Sequence, residues 1–304
     1  YDPVDIVDWR NRLALGSGLL RLDALLVTTS LALHDVRHHP VLRAVGNVSV
    51  FWLPVHHSNF LGVRARDAGG RPVRAVGVHT VHHDRQLHQL MRKSVREVSG
   101  GAAHFVHHDP AELFKATEGR VVSPQQTDEL YHQIASLDVG VVKQSGCVGD
   151  WWLCSRWRTG QRLVNLMSAG VPAIVWGDAQ GLLDVAEARW PPACLGLGSG
   201  GDLDWRRSTA HAGRERYPQE LVVVGDRQVH LSLASLYRNA SLRAEAQKRG
   251  LRLAARFSLP RVAAHLARII RWLLWRRAAR APRRASRKRL GLRPVGEMLA
   301  HSSR

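Results

Sequence analysis

The fold of this chain is decided by residues 137–187, LDVGVVKQSGCVGDWWLCSRWRTGQRLVNLMSAGVPAIVWGDAQGLLDVAE. The apolar run Val139–Val142 predicts a short buried strand, and Lys143 follows it in a loop. A helix is predicted from about Thr159 to Gly170, and a second strand over Ala173–Trp176. This order of elements places a lysine and backbone N–H groups at the ligand crevice of a parallel sheet. The stretch therefore predicts a site for an anionic, phosphorylated ligand.

Strands and helices alternate on both sides of this stretch. The alternation predicts an α/β fold built on a Rossmann-like, doubly wound parallel sheet, followed by C-terminal helices. The C-terminal helices are predicted over residues 230–257 and 259–280, with Pro260 separating them. Strands are predicted over residues 22–30, 47–54, 73–80, 102–108, 120–123 and 221–226, and helices over residues 39–46, 84–98, 109–117 and 123–136.

The charge of the chain is strongly positive and unevenly distributed. There are 44 Lys and Arg against 25 Asp and Glu, a net charge of +19. Residues 268–304 hold twelve Lys and Arg and one Glu, which is +11, so the other 267 residues carry only +8. A nucleic-acid-binding domain is expected to carry a basic face on its folded part. Nucleic acid is therefore disfavoured as a partner and is kept as an alternative that acts through the Arg-rich tail.

Cysteine content and hydropathy narrow the class of protein. The three cysteines, Cys147, Cys154 and Cys194, do not form a disulfide framework or a zinc-ligand spacing, which favours free thiols in a reducing compartment. No apolar run of about 18 residues is present, so no membrane-spanning helix is predicted. Because the chain starts at Tyr1 without Met, we expect further sequence upstream. We expect a cytoplasmic protein, with peripheral membrane contact as a further possibility considered below.

Three cations are candidates for contact with a diphosphate. Lys143 follows a strand, where its ammonium can act as a point charge. Arg158 and Arg162 lie one helical turn apart, and a guanidinium is suited to bidentate phosphate contacts. The alternatives are a surface lysine in a loop and a solvated helix face that bears the two arginines.

Residues 163–187, LVNLMSAGVPAIVWGDAQGLLDVAE, carry a family resemblance. They resemble the pattern lEAmacGvPvI followed by gGl.dvv in the second domain of GT-B glycosyltransferases. The segments DELYHQIASLDVGVV and SLYRNASLRAEAQKRGLRLAARFSLPRVAAHL are similar to the family's elements before and after that pattern. The resemblance covers roughly residues 20–275.

The resemblance implies an enzyme that transfers a sugar from a nucleotide-sugar donor to an acceptor hydroxyl, with no bound metal or other cofactor. The donor nucleotide, its sugar and the acceptor (a glycan, a lipid or a small molecule) stay open. The resemblance also implies four parts: the remnant of an acceptor-side Rossmann-like domain (1–58), a nucleotide-sugar-binding domain (59–260), a closing amphipathic helix (261–280) and a basic, disordered tail (281–304).

Donor-binding residues follow from the resemblance position by position. Lys143 would contact the donor diphosphate, and Asn165 falls where many members have the glutamate that binds the nucleotide ribose. Gly181 and Leu182 fall at the loop that approaches the donor. The paired glutamates of retaining members are absent, because Asn165 and Trp157 occupy roughly their places. A catalytically inactive GT-B-like binding or scaffold protein is therefore the alternative.

Histidine doublets at 38–39, 56–57, 82–83 and 107–108 raise the question of a metal site. Adjacent residues of a strand point to opposite faces, so a doublet rarely supplies two ligands, and no metal is predicted. A histidine at the crevice can act as a general base. His56, His57 and His79 are the candidates, with a surface or packed role as the alternative.

Residues 267–284, ARIIRWLLWRRAARAPRR, combine an apolar face with two tryptophans and many arginines. This composition predicts peripheral contact with an anionic membrane. Burial of Trp272 and Trp275 within the protein is the competing interpretation.

Overall fold

The computed structural model describes residues 24–38, 49–54, 67–79, 85–108, 124–143, 159–177, 179–189 and 216–289. The chain divides into two compact units, residues 1–262 and 263–304. In chain order the described elements are β1 (Ala24–Val27), α1 (Ser30–His38), β2 (Ser49–Trp52), β3 (Ala75–His79), α2 (Arg85–Ser99), β4 (His104–His108), α3 (Pro124–Ala135), β5 (Val139–Lys143), α4 (Gln161–Ser168), β6 (Ala173–Trp176), α5 (Gln180–Ala186), β7 (Val222–Val223), α6 (Asp226–Arg238), α7 (Ala240–Arg256) and α8 (Leu259–Arg289).

A five-stranded parallel sheet holds the core of the first unit, in the order β4–β3–β5–β6–β7. The valines of β5 and all four residues of β6 are buried, as expected for parallel strands covered by helices on both faces. Helix α4 packs against β5, β6 and α7. The α/β class and the parallel sheet predicted from the sequence are therefore confirmed.

A second, two-stranded parallel sheet is formed by β1 and β2. The Trp52 indole N–H donates to the Thr28 carbonyl at 3.1 Å, which ties the end of β2 to the turn after β1. Strands β1 and β2 and helix α1 belong to the same compact unit as the five-stranded sheet. The division into an acceptor-side remnant (1–58) and a nucleotide-sugar-binding domain (59–260) stays a prediction.

The sequence predicts a strand over residues 22–30 that leads to a turn, whereas the strand ends at Val27 and helix α1 begins at Ser30. Thr29 ends that strand early: its Oγ1 accepts from the Ala32 N–H at 3.0 Å, and its carbonyl accepts from the Leu33 N–H at 3.1 Å. A threonine whose hydroxyl accepts from the N–H of the third residue after it is a helix N-cap. The chain therefore passes from β1 into α1 through only two residues, Thr28 and Thr29.

The C-terminal helices differ from the prediction in their limits. Helix α6 ends at Arg238 and α7 begins at Ala240, because the Asn239 side chain accepts from the Leu242 N–H at 3.0 Å and starts a new helix. Helix α8 continues to Arg289, so the prediction that the helix ends at residue 280 is wrong. Alanine and arginine, which dominate residues 276–289, are strong helix formers even without apolar periodicity.

The strand predicted over residues 221–226 is reduced to Val222–Val223, since a 3₁₀ turn precedes it and α6 follows. The helices predicted over 39–46 and 109–117 and the strand predicted over 120–123 lie outside the described residues. Within the described ranges, no helix is long and apolar enough to cross a membrane.

Candidate functional site

The direction in which successive strands are added to the sheet reverses between β3 and β5. From β3 the chain passes through α2 to β4 on one side, and it returns to β5 on the other side. In open parallel sheets, ligands bind outside the carboxyl ends of the strands at such a switch point. The two strands that flank it end at His79 and Lys143. The structure therefore brings the lysine predicted from the sequence to the switch point.

Lys143 is the last residue of β5, not a loop residue as the sequence predicted. It lies in register with Trp176, the last residue of β6, and its Nζ is 4.3 Å from the centroid of the Trp176 ring. Trp176 is 4% exposed, whereas Lys143 is half-buried. An ammonium over the face of a tryptophan is attracted by the ring. The buried ring therefore orients the lysine stem at the carboxyl edge of the sheet.

Helix α4 begins at the same edge and is held there by close packing. Gly160, at its N-cap position, lies against the Gly181 carbonyl of α5, and a Cβ at Gly160 would overlap that oxygen. At the other end of α4, the Gly170 N–H donates to the Met167 carbonyl and the Val171 N–H donates to the Leu166 carbonyl. Gly170 itself has a positive φ of +71°. These two bonds form a Schellman motif, so the left-handed cap predicted at Gly170 is present.

Arg162 and Asn165 both lie on α4, and their exposure differs. Arg162 is the second residue of the helix and is half-buried. Asn165 is 5% exposed. Its backbone carbonyl accepts hydrogen bonds from the Ser168 hydroxyl at 2.8 Å and from the Ala169 N–H. Arg162 is therefore placed near the start of α4 with part of its surface accessible, and Asn165 lies deeper in the packing of the helix.

Gly181 and Leu182 lie in the first turn of α5, so their predicted position in a loop is wrong. The Leu182 side chain is fully buried, and its N–H donates to the Ala179 carbonyl at 3.0 Å. Leu182 therefore contributes packing. Gly181 contributes a surface without a side chain on which the start of α4 rests.

Asp184 of α5 is a buried carboxylate that the sequence interpretation missed. It is 3% exposed and accepts from the Ser30 N–H at 2.8 Å, the Ser30 hydroxyl at 2.6 Å and the Gln180 amide at 2.8 Å. Arg189 approaches the same carboxylate at 3.3 Å and also pairs with Glu187. The sequence marks this residue by placing an acid within the apolar run GLLDVA, because an acid rarely occupies the buried face of a helix without hydrogen-bond or charge partners.

Burial raises the pKa of the Asp184 carboxyl above its ordinary value. The hydrogen bonds from Ser30 and Gln180 and the charge of Arg189 act in the opposite direction, and burial outweighs them. The same carboxylate accepts from the first N–H of α1, where a negative charge is favoured by the helix dipole. Asp184 therefore joins the carboxyl end of β1 to the helix that follows β6.

Several predicted site residues are not placed by the structure. Arg158, Trp157, His56 and His57 lie outside the described residues. For His79 only the backbone position, at the end of β3, is described.

Among the described residues, no group of three His, Cys, Asp or Glu side chains has the proximity needed to hold a metal ion. The candidate donor-site cations that the structure places are Lys143, at the end of β5, and Arg162, near the start of α4. Comparison of the chain with protein-family models and with curated proteins gives no match.

Proposed function

We propose that this chain is a GT-B-like glycosyltransferase that transfers a sugar from a nucleotide-sugar donor to an acceptor hydroxyl. One observation carries the proposal: Lys143 ends β5, next to the point where the strand order of the five-stranded parallel sheet reverses. Such a position suits the diphosphate of a nucleotide, because the carboxyl edge collects a cation and the start of the following helix. The resemblance of residues 163–187 to the GT-B pattern supports a sugar nucleotide over other phosphorylated ligands.

In this reaction the protein positions the donor and the acceptor and stabilises the negative charge of the leaving group. Transfer of the sugar leaves a nucleoside diphosphate, whose negative charge grows as the glycosidic bond to it breaks. In the proposal, the Lys143 ammonium and the Arg162 guanidinium stabilise this leaving group. The fixed packing of α4 on α5 orients the donor relative to the acceptor, which lowers the entropic part of the barrier.

The acceptor side is assigned in the proposal to the segment that contains β1, α1 and β2. The Ser30–Asp184 hydrogen bonds support this assignment, because they hold the start of α1 against α5. An acceptor bound beyond β1 would then lie on the same side of the sheet as the donor.

A thermal-shift screen with UDP, GDP, ADP, CMP and dTDP tests the donor site. A ligand that binds only the folded protein raises the unfolding midpoint with concentration. We expect one nucleotide to stabilise the wild type and to lose this effect in Lys143→Ala and Arg162→Ala. Lys93→Ala and Arg252→Ala, which remove exposed cations elsewhere, should keep it. If no nucleotide shifts the midpoint, or if the control variants lose the shift equally, the donor-site assignment is wrong.

A nucleotide-binding protein without transferase activity is the second candidate. It is favoured by Asn165, which resembles a replacement of the family glutamate by an uncharged amide and is buried on α4. The two candidates separate once a nucleotide is identified by the screen. Release of sugar from the matching nucleotide sugar, to water or to added acceptors, supports the transferase. Tight binding without any turnover supports the binding protein.

A further inference from the structure

The second compact unit contains a helical segment of unusual charge. Residues 263–289, the greater part of α8, include ten Lys and Arg and no Asp or Glu. Repulsion among so many cations on one helix is unfavourable unless an anionic partner or solvent ions screen it. The segment is therefore suited to meet a negatively charged surface.

One side of this segment is apolar and exposed. Ala263, Ala267, Ile270, Leu274 and Ala278 are all exposed and follow one another at intervals of three or four residues, which places them along a single line of the helix. We call this line the outer stripe. Ile270 is 47% exposed and Leu274 is 61% exposed. The side of the helix that carries the buried His265 and Ile269 points away from the stripe.

Cations and a tryptophan border the outer stripe. Arg271 and Arg277 are exposed at positions adjacent to it, and Trp275 is 67% exposed beside Leu274. Tryptophan favours the boundary between hydrocarbon and water, since its ring is apolar and its N–H is polar. Arginine can extend its charged end toward lipid phosphates while its stem stays in apolar surroundings.

We propose that the outer stripe of α8 binds an anionic lipid surface, with the helix lying in the plane of the interface. The exposed aliphatic side chains lose their contact with water when they enter the headgroup boundary, which favours binding. The flanking arginines are attracted electrostatically to the anionic headgroups. A nucleic acid would use the arginines but would leave Ile270 and Leu274 in water. The combination of both features on one line favours lipid. This inference goes beyond the proposed function and does not depend on it.

Co-sedimentation of the full chain with vesicles tests the proposal. Vesicles of phosphatidylcholine alone are compared with vesicles that contain about 30% phosphatidylglycerol, at low and at high salt. We expect binding to the anionic vesicles. Ile270→Ser combined with Leu274→Ser should weaken binding by roughly tenfold or more, because the aliphatic area is lost. Arg271→Gln combined with Arg277→Gln should weaken it by about fivefold for each arginine.

Two controls separate the stripe from net charge and from unfolding. Arg238→Gln combined with Arg252→Gln removes the same charge from exposed positions of α6 and α7 and should leave vesicle binding within about twofold. Every variant is compared with the wild type by circular dichroism, and the unfolding midpoint should be retained because the substituted residues are exposed. A single Leu274→Asn substitution serves as a milder test if the double variant is unstable.

Fluorescence gives an independent readout. The difference in emission between the wild type and Trp275→Phe isolates this one indole. On anionic vesicles we expect that difference spectrum to shift to shorter wavelength and to be protected from acrylamide.

Three results would overturn the proposal. The first is no binding to anionic vesicles at low salt. The second is binding that is unchanged when the stripe is made polar. The third is tighter binding to a short RNA or DNA duplex that depends on Arg271 and Arg277 but not on Ile270 and Leu274, because this result would assign the segment to nucleic acid.

Discussion

The Ser30 hydroxyl donates to the Asp184 carboxylate at 2.6 Å, although the two residues are 154 positions apart in the chain. The Ser30 N–H donates to the other oxygen of the same carboxylate at 2.8 Å. These bonds join the start of α1, which follows β1, to α5, which follows β6. The two parallel sheets of the first unit are thus connected at their carboxyl ends by one buried acid.

A double-mutant cycle on Ser30 and Asp184 tests this connection. Asp184→Ala should lower the free energy of unfolding by about 3 kcal/mol, because it leaves Ser30, Gln180 and Arg189 without their shared acceptor. Ser30→Ala should lower the free energy of unfolding by less, because the backbone N–H at position 30 still donates to Asp184. The coupling energy between the two, measured by urea unfolding, should be roughly 1–3 kcal/mol. Ser30→Ala combined with Glu97→Ala, an exposed acid on α2, should be additive; additivity of the Ser30–Asp184 pair itself would contradict the account.

The stability of the protein should depend on pH through Asp184. Because burial raises the pKa of this carboxyl, its contribution to stability is fully present below its ordinary value of 3.8 and is lost as pH rises through the higher folded value. The free energy of unfolding of the wild type relative to Asp184→Asn should therefore fall as pH increases from about 3.5 to about 7. Glu97→Gln controls for the loss of one negative charge. A relative stability that rises with pH would show that the folded pKa is lowered.

Gly160→Ala should disturb the contact between α4 and α5. A methyl group at this position overlaps the Gly181 carbonyl and approaches the Val185 side chain, and neither backbone can yield without moving a helix. We expect a loss of about 1–3 kcal/mol in the free energy of unfolding, as in other overpacked sites. Gly225→Ala is the matched control, because a Cβ there meets nothing within 4 Å and the loss should stay below about 1 kcal/mol. Equal losses in both variants would rule out the close packing.

Arg243 is a buried arginine whose role is structural. Its guanidinium donates to the carbonyls of Ala68, Arg71, Leu236 and Tyr237 at distances of 2.6–3.1 Å. Arg243→Met keeps an apolar stem but leaves these buried carbonyls without a hydrogen-bond donor. We expect the free energy of unfolding to fall by about 3 kcal/mol or more.

The matched control for Arg243 is the exposed Arg238, whose replacement by Met should change stability by less than about 0.5 kcal/mol. Thermal and urea unfolding of the two variants give the comparison. Similar stabilities would mean that the carbonyls around Arg243 find other partners.

The strands of the five-stranded sheet were largely predictable because local signals mark them. Strand β6 was predicted with its observed limits, since Pro172 precedes an apolar run of four residues and Gly177, with φ +119°, ends it. The Gly170 cap was equally clear. Lys143 was located to within one residue, at the end of β5 and not after it.

What the sequence did not disclose depends on contacts between distant segments. Asp184 and Ser30 carry no local mark of their partnership, because 154 residues separate them. Arg243 cannot be distinguished from the other arginines of α7 until its carbonyl partners are placed around it. Helix α1 carries no local mark in the sequence, because no Gly or Pro separates Val27 from the helix N-cap, Thr29.

The diphosphate site at the end of β5 is tested most directly by the dissociation constant of the stabilising nucleoside diphosphate, measured by isothermal titration calorimetry on the wild type and on Lys143→Met. Methionine keeps the apolar stem over Trp176 and removes only the charge. We expect the Kd to rise about tenfold in Lys143→Met, the effect of losing one charge-assisted contact, and to be unchanged in Lys93→Met. An equal Kd for the wild type and Lys143→Met would contradict the assignment of the diphosphate to the carboxyl end of β5.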